Sequence, residues 1–299
     1  MTLGEQGYLL LTSRLGDVDC KPLTLPQLDK LAAAIRRMPQ PAEDRELEIR
    51  DLLSAGLNES FSQRVLVLLD REPLLRQYLK RAKSAGCSPL TKISEAYPKR
   101  LLSRLGKHAP ASLWGKGDVS LLQRPCVGLV GSRDLRPDNL RFAYEVGKQA
   151  ALQGYVLVSG DARGADSVAQ KACLEHGGYV ISILPGETDK QVADKRVLYL
   201  SEDGFDIPFT SARALQRNRI IHALGEKTFV AQCALGRGGT WDGTRNNLQK
   251  RLSPVWCYND GSEATKELAC LGAELISMRQ LGDFSQLQEK ELNFMDADR

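Results

Sequence analysis

The chain of 299 residues has few of the groups from which metal and hydrolytic centres are built. It holds three histidines, His108, His176 and His222, each isolated, and seven cysteines with no C-x-x-C spacing among them. A transition-metal site needs a cluster of such ligands, so none is expected. Cys20, Cys87, Cys126, Cys173, Cys233, Cys257 and Cys270 fall largely inside apolar runs. They read as reduced, buried thiols, which places the chain in the cytoplasm. No apolar run approaches the roughly 18 residues that span a bilayer, and no basic region followed by an apolar core opens the chain, so neither a membrane span nor a signal peptide is expected. The phosphate-loop pattern G-x-x-x-x-G-K-[ST] is missing. G-x-G-x-x-G fails because Trp241 stands where its third glycine belongs after Gly236 and Gly238. No Ser-His-Asp or Cys-His set sits at strand ends, so no catalytic centre and no cofactor are expected. Charge of one sign is also scarce. The net is +4, with residues 1–123 carrying +5 and residues 124–299 carrying −1. A polyanionic partner is therefore not written in bulk charge and needs a local cluster of Arg and Lys.

What is present is glycine at the ends of apolar runs. The segment Ser159-Gly160-Asp161-Ala162-Arg163-Gly164-Ala165-Asp166 follows the apolar run Tyr155 to Val158 and precedes a helical pattern running from Ala165 to His176. A strand, a glycine-bracketed turn and a helix start make a place to hold an anion. The helix N-terminus presents unpaired N–H groups, the glycines permit close backbone approach, and Arg163 supplies a forked cation. Two further strand ends repeat the pattern, Gly131-Ser132-Arg133 and Gly238-Gly239-Thr240, the latter preceded by Arg237. Taken singly, each reads equally as a plain tight turn. Together they favour a phosphate-binding edge. A second cluster, Arg213, Arg217, Asn218 and Arg219, lies on one helical segment. Arg213 and Arg217 share a face at i, i+4, whereas Arg217 and Arg219 point apart, so one of the latter pair braces structure. Asp161 and Asp166 read as a structural cap or a ribose contact.

The chain divides by pattern. Residues 1–85 read as a helical N-terminal domain. Within it a helix opens at Leu25 behind Thr24 and is stopped by Pro39 and Pro41, and a basic helix from Pro73 to Ala85 carries Arg76, Lys80, Arg81 and Lys83. Residues 86–124 read as an irregular connector. Residues 125–279 alternate apolar strands (126–130, 155–158, 179–184, 228–233, 254–258, 273–276) with helices (139–153, 165–176, 211–224, 240–250, 262–271). A polar, partly helical stretch covers 188–200 and a short extended piece covers 204–209. Residues 280–299 read as a polar, acidic tail. The fold expected is α/β, a Rossmann-like, mostly parallel sheet with helices on both faces behind a small helical domain. Such sheets bind ligands at the carboxyl ends of their strands.

The order of these pieces resembles the DNA-processing protein A (DprA/Smf) family. Tyr97-Pro98-Lys99-Arg100-Leu101 with Leu113-Trp114-Gly115-Lys116-Gly117 is similar to that family's approach to the sheet. Val127 to Arg133 is similar to its first strand and G-S-R turn, Ser159 to Asp166 to its S-G-x-A-R-G-x-D turn, and Arg217 to Ile221 to its R-N-R-I-I. The resemblance implies a non-catalytic, dimeric protein that binds single-stranded DNA and passes it to a RecA-type recombinase. By position it implies a DNA-contact edge of Gly131, Ser132, Arg133, Ser159, Gly160, Arg163, Gly164, Arg217, Asn218 and Arg219. Backbone N–H groups and Arg forks there would hold phosphates without reading bases. Trp241 is the best placed of the few aromatics for stacking on a base, although a packed place in the core is the favoured role for it. Asp161 and Gln170 stand where the family usually has an apolar residue and a histidine. Two alternatives stay open. A nucleotide-sensing module would use Asp161 and Asp166 on a ribose. A phosphoribohydrolase would need a glutamate where this chain has Gly243 or Asn247.

Overall fold

The computed structural model describes residues 1–38 and 46–288. The five N-terminal helices are α1 (Leu3–Thr12), α2 (Leu25–Ile35), α3 (Ile49–Ser54), α4 (Glu59–Leu69) and α5 (Glu72–Ser84). Thr24 begins α2 as expected, its backbone N–H donating to Gln27 Oε1 at 2.9 Å, whereas Pro39 and Pro41 lie outside the described residues. The rest alternates: β1 (Cys87–Thr91), α6 (Lys99–Leu105), β2 (Ser112–Lys116), β3 (Cys126–Val130), α7 (Pro137–Leu152), β4 (Val156–Ser159), α8 (Ala165–Glu175), β5 (Tyr179–Leu184), β6 (Val197–Glu202), α9 (Ser211–Gln216), α10 (Asn218–Leu224), β7 (Thr228–Val230), α11 (Gly239–Lys250), β8 (Val255–Tyr258), α12 (Glu263–Cys270) and β9 (Glu274–Ile276).

The nine strands among the described residues form one sheet, in the order β1-β2-β6-β5-β4-β3-β7-β8-β9. From β6 to β9 every pairing is parallel; β1 and β2 add an antiparallel edge. The chain starts the parallel part at β3, steps out through β4, β5 and β6, then returns to lay β7, β8 and β9 on the other side. The order reverses at β3/β7, which puts the ligand-binding crevice of such a sheet at their carboxyl ends. This is the Rossmann-like architecture expected from the alternation of strands and helices.

The central strands are apolar on both faces because both are covered. Cys126 and Val130 of β3 join one core layer, while Val127 and Leu129 join the other. On the second layer α7 and α8 pack closely. A Cβ at Gly147 would collide with the Ala169 backbone, so only glycine permits this approach.

Several segments differ from the sequence reading. Residues 86–124, read as an irregular connector, contain β1 and β2. Pro89 is tolerated in β1 because that strand lies at the sheet edge. The stretch 188–200, read as polar and partly helical, delivers β6, whose apolar run is only four residues long. Residues 204–209, read as extended, form no strand. The expected helix 211–224 breaks at Arg217 into α9 and α10. Of the supposed tail, Leu281 and Phe284 are buried in the core. Phe284 meets Phe229 with ring centroids 4.8 Å apart, and residues 289–299 lie outside the described residues.

The helical region meets the sheet through Tyr78, Trp114 and Phe205, whose centroids lie 4.8–5.6 Å apart. Tyr78 Oη donates to Asp206 Oδ1 at 2.6 Å, and Arg81 pairs with the same carboxylate at 2.6 Å. The Tyr97-Pro98 and Lys116-Gly117 motifs are structural here. Tyr97 Oη donates to the Pro110 carbonyl at 2.8 Å, and Lys116 Nζ donates to that of Asp189 at 3.0 Å.

Candidate nucleic-acid interface at the carboxyl edge of the sheet

The three glycine turns follow β4, β3 and β7, which are adjacent in the sheet. The first two interlock. Gly164 has φ +91°, and a Cβ there would collide with the carbonyls of Ser132 and Arg133. The Ala165 N–H donates to the Ser132 carbonyl at 3.2 Å. Ser132 is tied in turn to the end of β7, its N–H donating to the Gln232 carbonyl at 2.9 Å and its Oγ to the same carbonyl at 3.2 Å. Glycine at 131 lets Ala165 and Ala231 close in from both sides. The backbone of this edge is thus set by close approach rather than by side-chain contacts.

Behind the β4 turn Ser159 and Gln170 are paired with each other and with their neighbours. Ser159 is buried and its Oγ accepts from Gln170 Nε2 at 2.8 Å, which also donates to the Gly160 carbonyl and to Ser182 Oγ at 3.3 Å. Gln170, at the position where the family usually has histidine, fastens the turn to α8 and β5. Asp166 is 6% exposed and accepts from the Ala162 N–H at 3.3 Å.

The arginines divide into three kinds. Arg133, Arg163 and Arg237 are exposed. Arg163 is paired with Asp134, 2.6 Å away, and both side chains are largely open to solvent. Arg217 is 7% exposed, at the break between α9 and α10. Its Nη2 lies 3.6 Å from Asp166 Oδ2, its guanidinium lies against Gly160 where any Cβ would collide, and its Nε and Nη1 have no acceptor among the described residues. Arg219 and Arg213 are each paired with an acid at the carboxyl end of β6. Arg219 forms a two-pronged pair with Glu202 and donates to the Gln216 carbonyl at 2.9 Å, while Arg213 lies 3.6 Å from Asp203. Arg219 is therefore the bracing member of the Arg217/Arg219 pair. Asn218 Nδ2 donates to the Gly239 carbonyl at 2.9 Å and so joins α10 to the start of α11. Gly238, with φ +88°, caps α11 and is exposed; Gly239 and Thr240 are half-buried.

The electrostatics follow from burial. Burial raises the Asp166 carboxyl above its usual range against the pull of Arg217, and it lowers the Arg217 guanidinium against the pull of Asp166. Asp161 is exposed at the rim, yet the surrounding protein raises its carboxyl too, opposed by Arg217. On the buried face of α10, burial pushes the His222 imidazole down to about 3. Its Nδ1 accepts from Asn247 Nδ2 at 2.9 Å. Asn247, one of the two positions, with Gly243, at which a phosphoribohydrolase would need its glutamate, is buried in this network and also receives the Ser253 N–H at 2.9 Å.

Trp241, the aromatic proposed for stacking, is 5% exposed and belongs to the core. The sequence reading missed Phe209, which is 51% exposed in the segment leading from β6 to α9. Its signal was the alternation of Phe205, Ile207 and Phe209, which ends in an aromatic followed by the polar Thr210 and Ser211. Leu215 and Leu235, also 51% exposed, stand on the segments flanking Arg217 and Arg237.

With this geometry in view, the likeness to known proteins has a physical reading. The sequence pattern of "DNA recombination-mediator protein A" matches residues 88–284, the span from β1 to the end of the sheet domain. The DNA processing protein DprA of Bacillus subtilis is 29% identical over 171 residues, covering 54% of this chain and 57% of that protein. The chain spans about half the length of the curated relatives it matches. Among solved structures, DNA processing protein A of Streptococcus pneumoniae superposes with a TM-score of 0.72 at 24% identity over 97% of this chain and all of that one, which is a likeness of fold. DNA processing protein A of Helicobacter pylori, solved for its single-stranded DNA binding mode, superposes with a TM-score of 0.55 at 25% identity, covering 65% of this chain and 93% of that one.

Proposed function

The chain belongs to the DNA recombination-mediator protein A family, and from that premise we propose that it binds single-stranded DNA along the carboxyl edge of its sheet and presents the strand to a recombinase, without catalysis. The observation that carries this reading is the adjacency of three glycine turns on β4, β3 and β7, with Arg133, Arg163 and Arg237 exposed among them. Backbone N–H groups and forked cations at such an edge grip phosphates whatever the base, and exposed apolar groups offer faces on which unpaired bases lie. Phe209 takes the stacking role. Gly131, Ser132, Gly164, Gly238, Gly239 and Thr240 shape the track. Ser159, Gly160, Asp166 and Arg217 form its floor. Arg213, Asn218 and Arg219 hold α9 and α10 behind it.

The test is fluorescence anisotropy of a labelled thymidine oligonucleotide and of a matching duplex, titrated with the protein at several salt concentrations. The expected result is a preference for the single strand with an affinity that falls steeply as salt rises, because counterions leave the phosphates on binding. Phe209→Ala is expected to weaken single-strand binding by about tenfold, the size of one lost base stack, and to leave the salt slope unchanged. Lack of binding at low salt would sink the reading. Delivery to a recombinase is checked by whether the protein speeds assembly of a RecA-type filament on the coated strand. A homodimer is checked by sedimentation.

A further inference from the structure

Arg217 is an unusual group to bury. A guanidinium carries five N–H donors, and leaving any of them unmet away from water is costly. Here Nε and Nη1 have no acceptor among the described residues, and the carboxylate paired with the guanidinium is Asp166, at 3.6 Å from Nη2, longer than a good charge-assisted bond, with the charge of Asp161 also acting on it. The guanidinium lies against Gly160, in the turn that also carries Asp161 and Arg163, both exposed. Asp166 itself has one other partner, the Ala162 N–H of that same turn. The pair is therefore underbonded on the cation's side and sits where the proposed phosphate track passes.

A phosphate that reaches Arg217 brings a second negative charge beside a carboxylate that shares the same cation. The charged groups facing this point are few. Arg217 comes from the α9/α10 break, Asp161 from the β4 turn, Arg133 from the β3 turn, and the Tyr199 phenol of β6 lies beside Asp161; Gln170 and Ser159 are neutral. Two carboxylates and a phosphate around one buried arginine are not tolerated together at low dielectric, and the least costly relief is a proton on the deeper acid. We propose that Asp166 is a positioning residue, which holds Arg217 in place while the site is empty and yields it to an incoming phosphate by taking up a proton from solution. The balance is one proton gained by the Asp166 carboxylate per phosphate seated, with no bond to the ligand formed or broken. Burial already shifts this carboxyl toward its protonated form, in the direction the exchange requires. The inference rests on the DNA-binding reading above and adds that the site is proton-linked and that Asp166 competes with the ligand.

The experiment is titration calorimetry of the full chain with a thymidine oligonucleotide in two buffers of different ionisation enthalpy, from pH 5.5 to 8 at fixed salt. Neither the phosphodiester nor thymine titrates in that range, so buffer dependence reports protons moving on the protein. Wild type is expected to take up protons, with affinity rising about threefold to tenfold from pH 7.5 to 5.5. Asp166→Asn keeps an acceptor for the Ala162 N–H and removes the charge. It is expected to bind more tightly at pH 7.5 and to lose that proton uptake. A purely structural Asp166 would instead give weaker binding with the uptake intact. Asp161→Asn serves as the second variant and is expected to retain the uptake. Wild type that binds without proton uptake overturns the proposal and leaves the DNA-binding reading standing. Uptake lost in Asp161→Asn but kept in Asp166→Asn overturns the assignment to Asp166. Wild type that fails to bind at low salt overturns both.

Discussion

At the scale of single residues, arginines of one sequence motif separate by what surrounds them. Arg163 stands in solvent opposite Asp134, an exposed pair worth little to stability. Arg163→Ala should therefore fold as wild type, weaken binding to every single-stranded sequence about equally, and lower the salt slope by about one. Anisotropy at four salt concentrations checks it. His222 makes the opposite case. Its imidazole is buried and neutral, with a pKa near 3 in the folded chain, whereas an unfolded chain protonates it near 6.5. Below pH 6.5 the unfolded state binds the proton that the native state refuses. This residue's contribution is thus complete above the unfolded value and is lost as pH falls from about 6.5 toward 3, at up to about 1.4 kcal/mol per pH unit. Urea titrations between pH 7.5 and 5 should show this slope, and His222→Gln should flatten it.

At the scale of elements, glycine decides which helices meet. The approach of α7 to α8 depends on Gly147, and α8 is the helix whose first turn carries Ala165 and Asp166. Gly147→Ala raises helix propensity, which alone is stabilising, yet it drives a methyl group into the Ala169 backbone. The clash is the larger effect, so the variant should lose about 1–3 kcal/mol of stability and, through the displaced α8, bind single-stranded DNA more weakly. Thermal melts and anisotropy on the same sample measure both. The break of the expected helix 211–224 at Arg217 belongs to this scale as well. The residue pattern reads as one helix, and the break between α9 and α10 sets Arg217 apart from Arg213, which faces Asp203.

At the scale of the whole molecule, the helical region is fixed to the sheet by the aromatic contact of Tyr78 with Trp114 and Phe205, and by Asp206, which receives both Tyr78 Oη and Arg81. Asp206 lies beyond the carboxyl end of β6, on the side of the sheet that carries the glycine turns. Asp206→Ala leaves the Tyr78 hydroxyl without its partner, at a cost of about 1–3 kcal/mol for a buried polar group. Calorimetric unfolding should then begin at a lower temperature, with limited proteolysis first cutting between α5 and β1. The same scale separates what was legible in residues from what was not. Tyr97, Lys116 and Gly117 were readable as a motif, but the hydrogen bonds of Tyr97 and Lys116 to loop carbonyls, and the close approach of Gly117 to the Val197 carbonyl, mark them as scaffold.

The sequence by itself determined the alternation of apolar strands with helices, and so the parallel sheet, because a strand covered on both faces must be apolar on both faces. It also determined that three glycine turns with Arg and Ser or Thr end such strands, since glycine is the residue that admits close backbone approach. It left β1, β2 and β6 unread, because Pro89 in β1, Gly115 and Lys116 in β2, and the polar stretch that leads into Val197 of β6 interrupt the apolar runs from which a period is read. Only the tertiary structure decided that the three turns are neighbours, through the reversal of strand order at β3/β7. It alone decided that Trp241 is core and Phe209 exposed, that Arg219 is taken by Glu202, and that Arg217 is buried on Gly160 beside Asp166. Those outcomes depend on groups far apart in the chain that meet only when the sheet is complete, and burial and pairing, not residue type, set what an arginine or an aspartate can do.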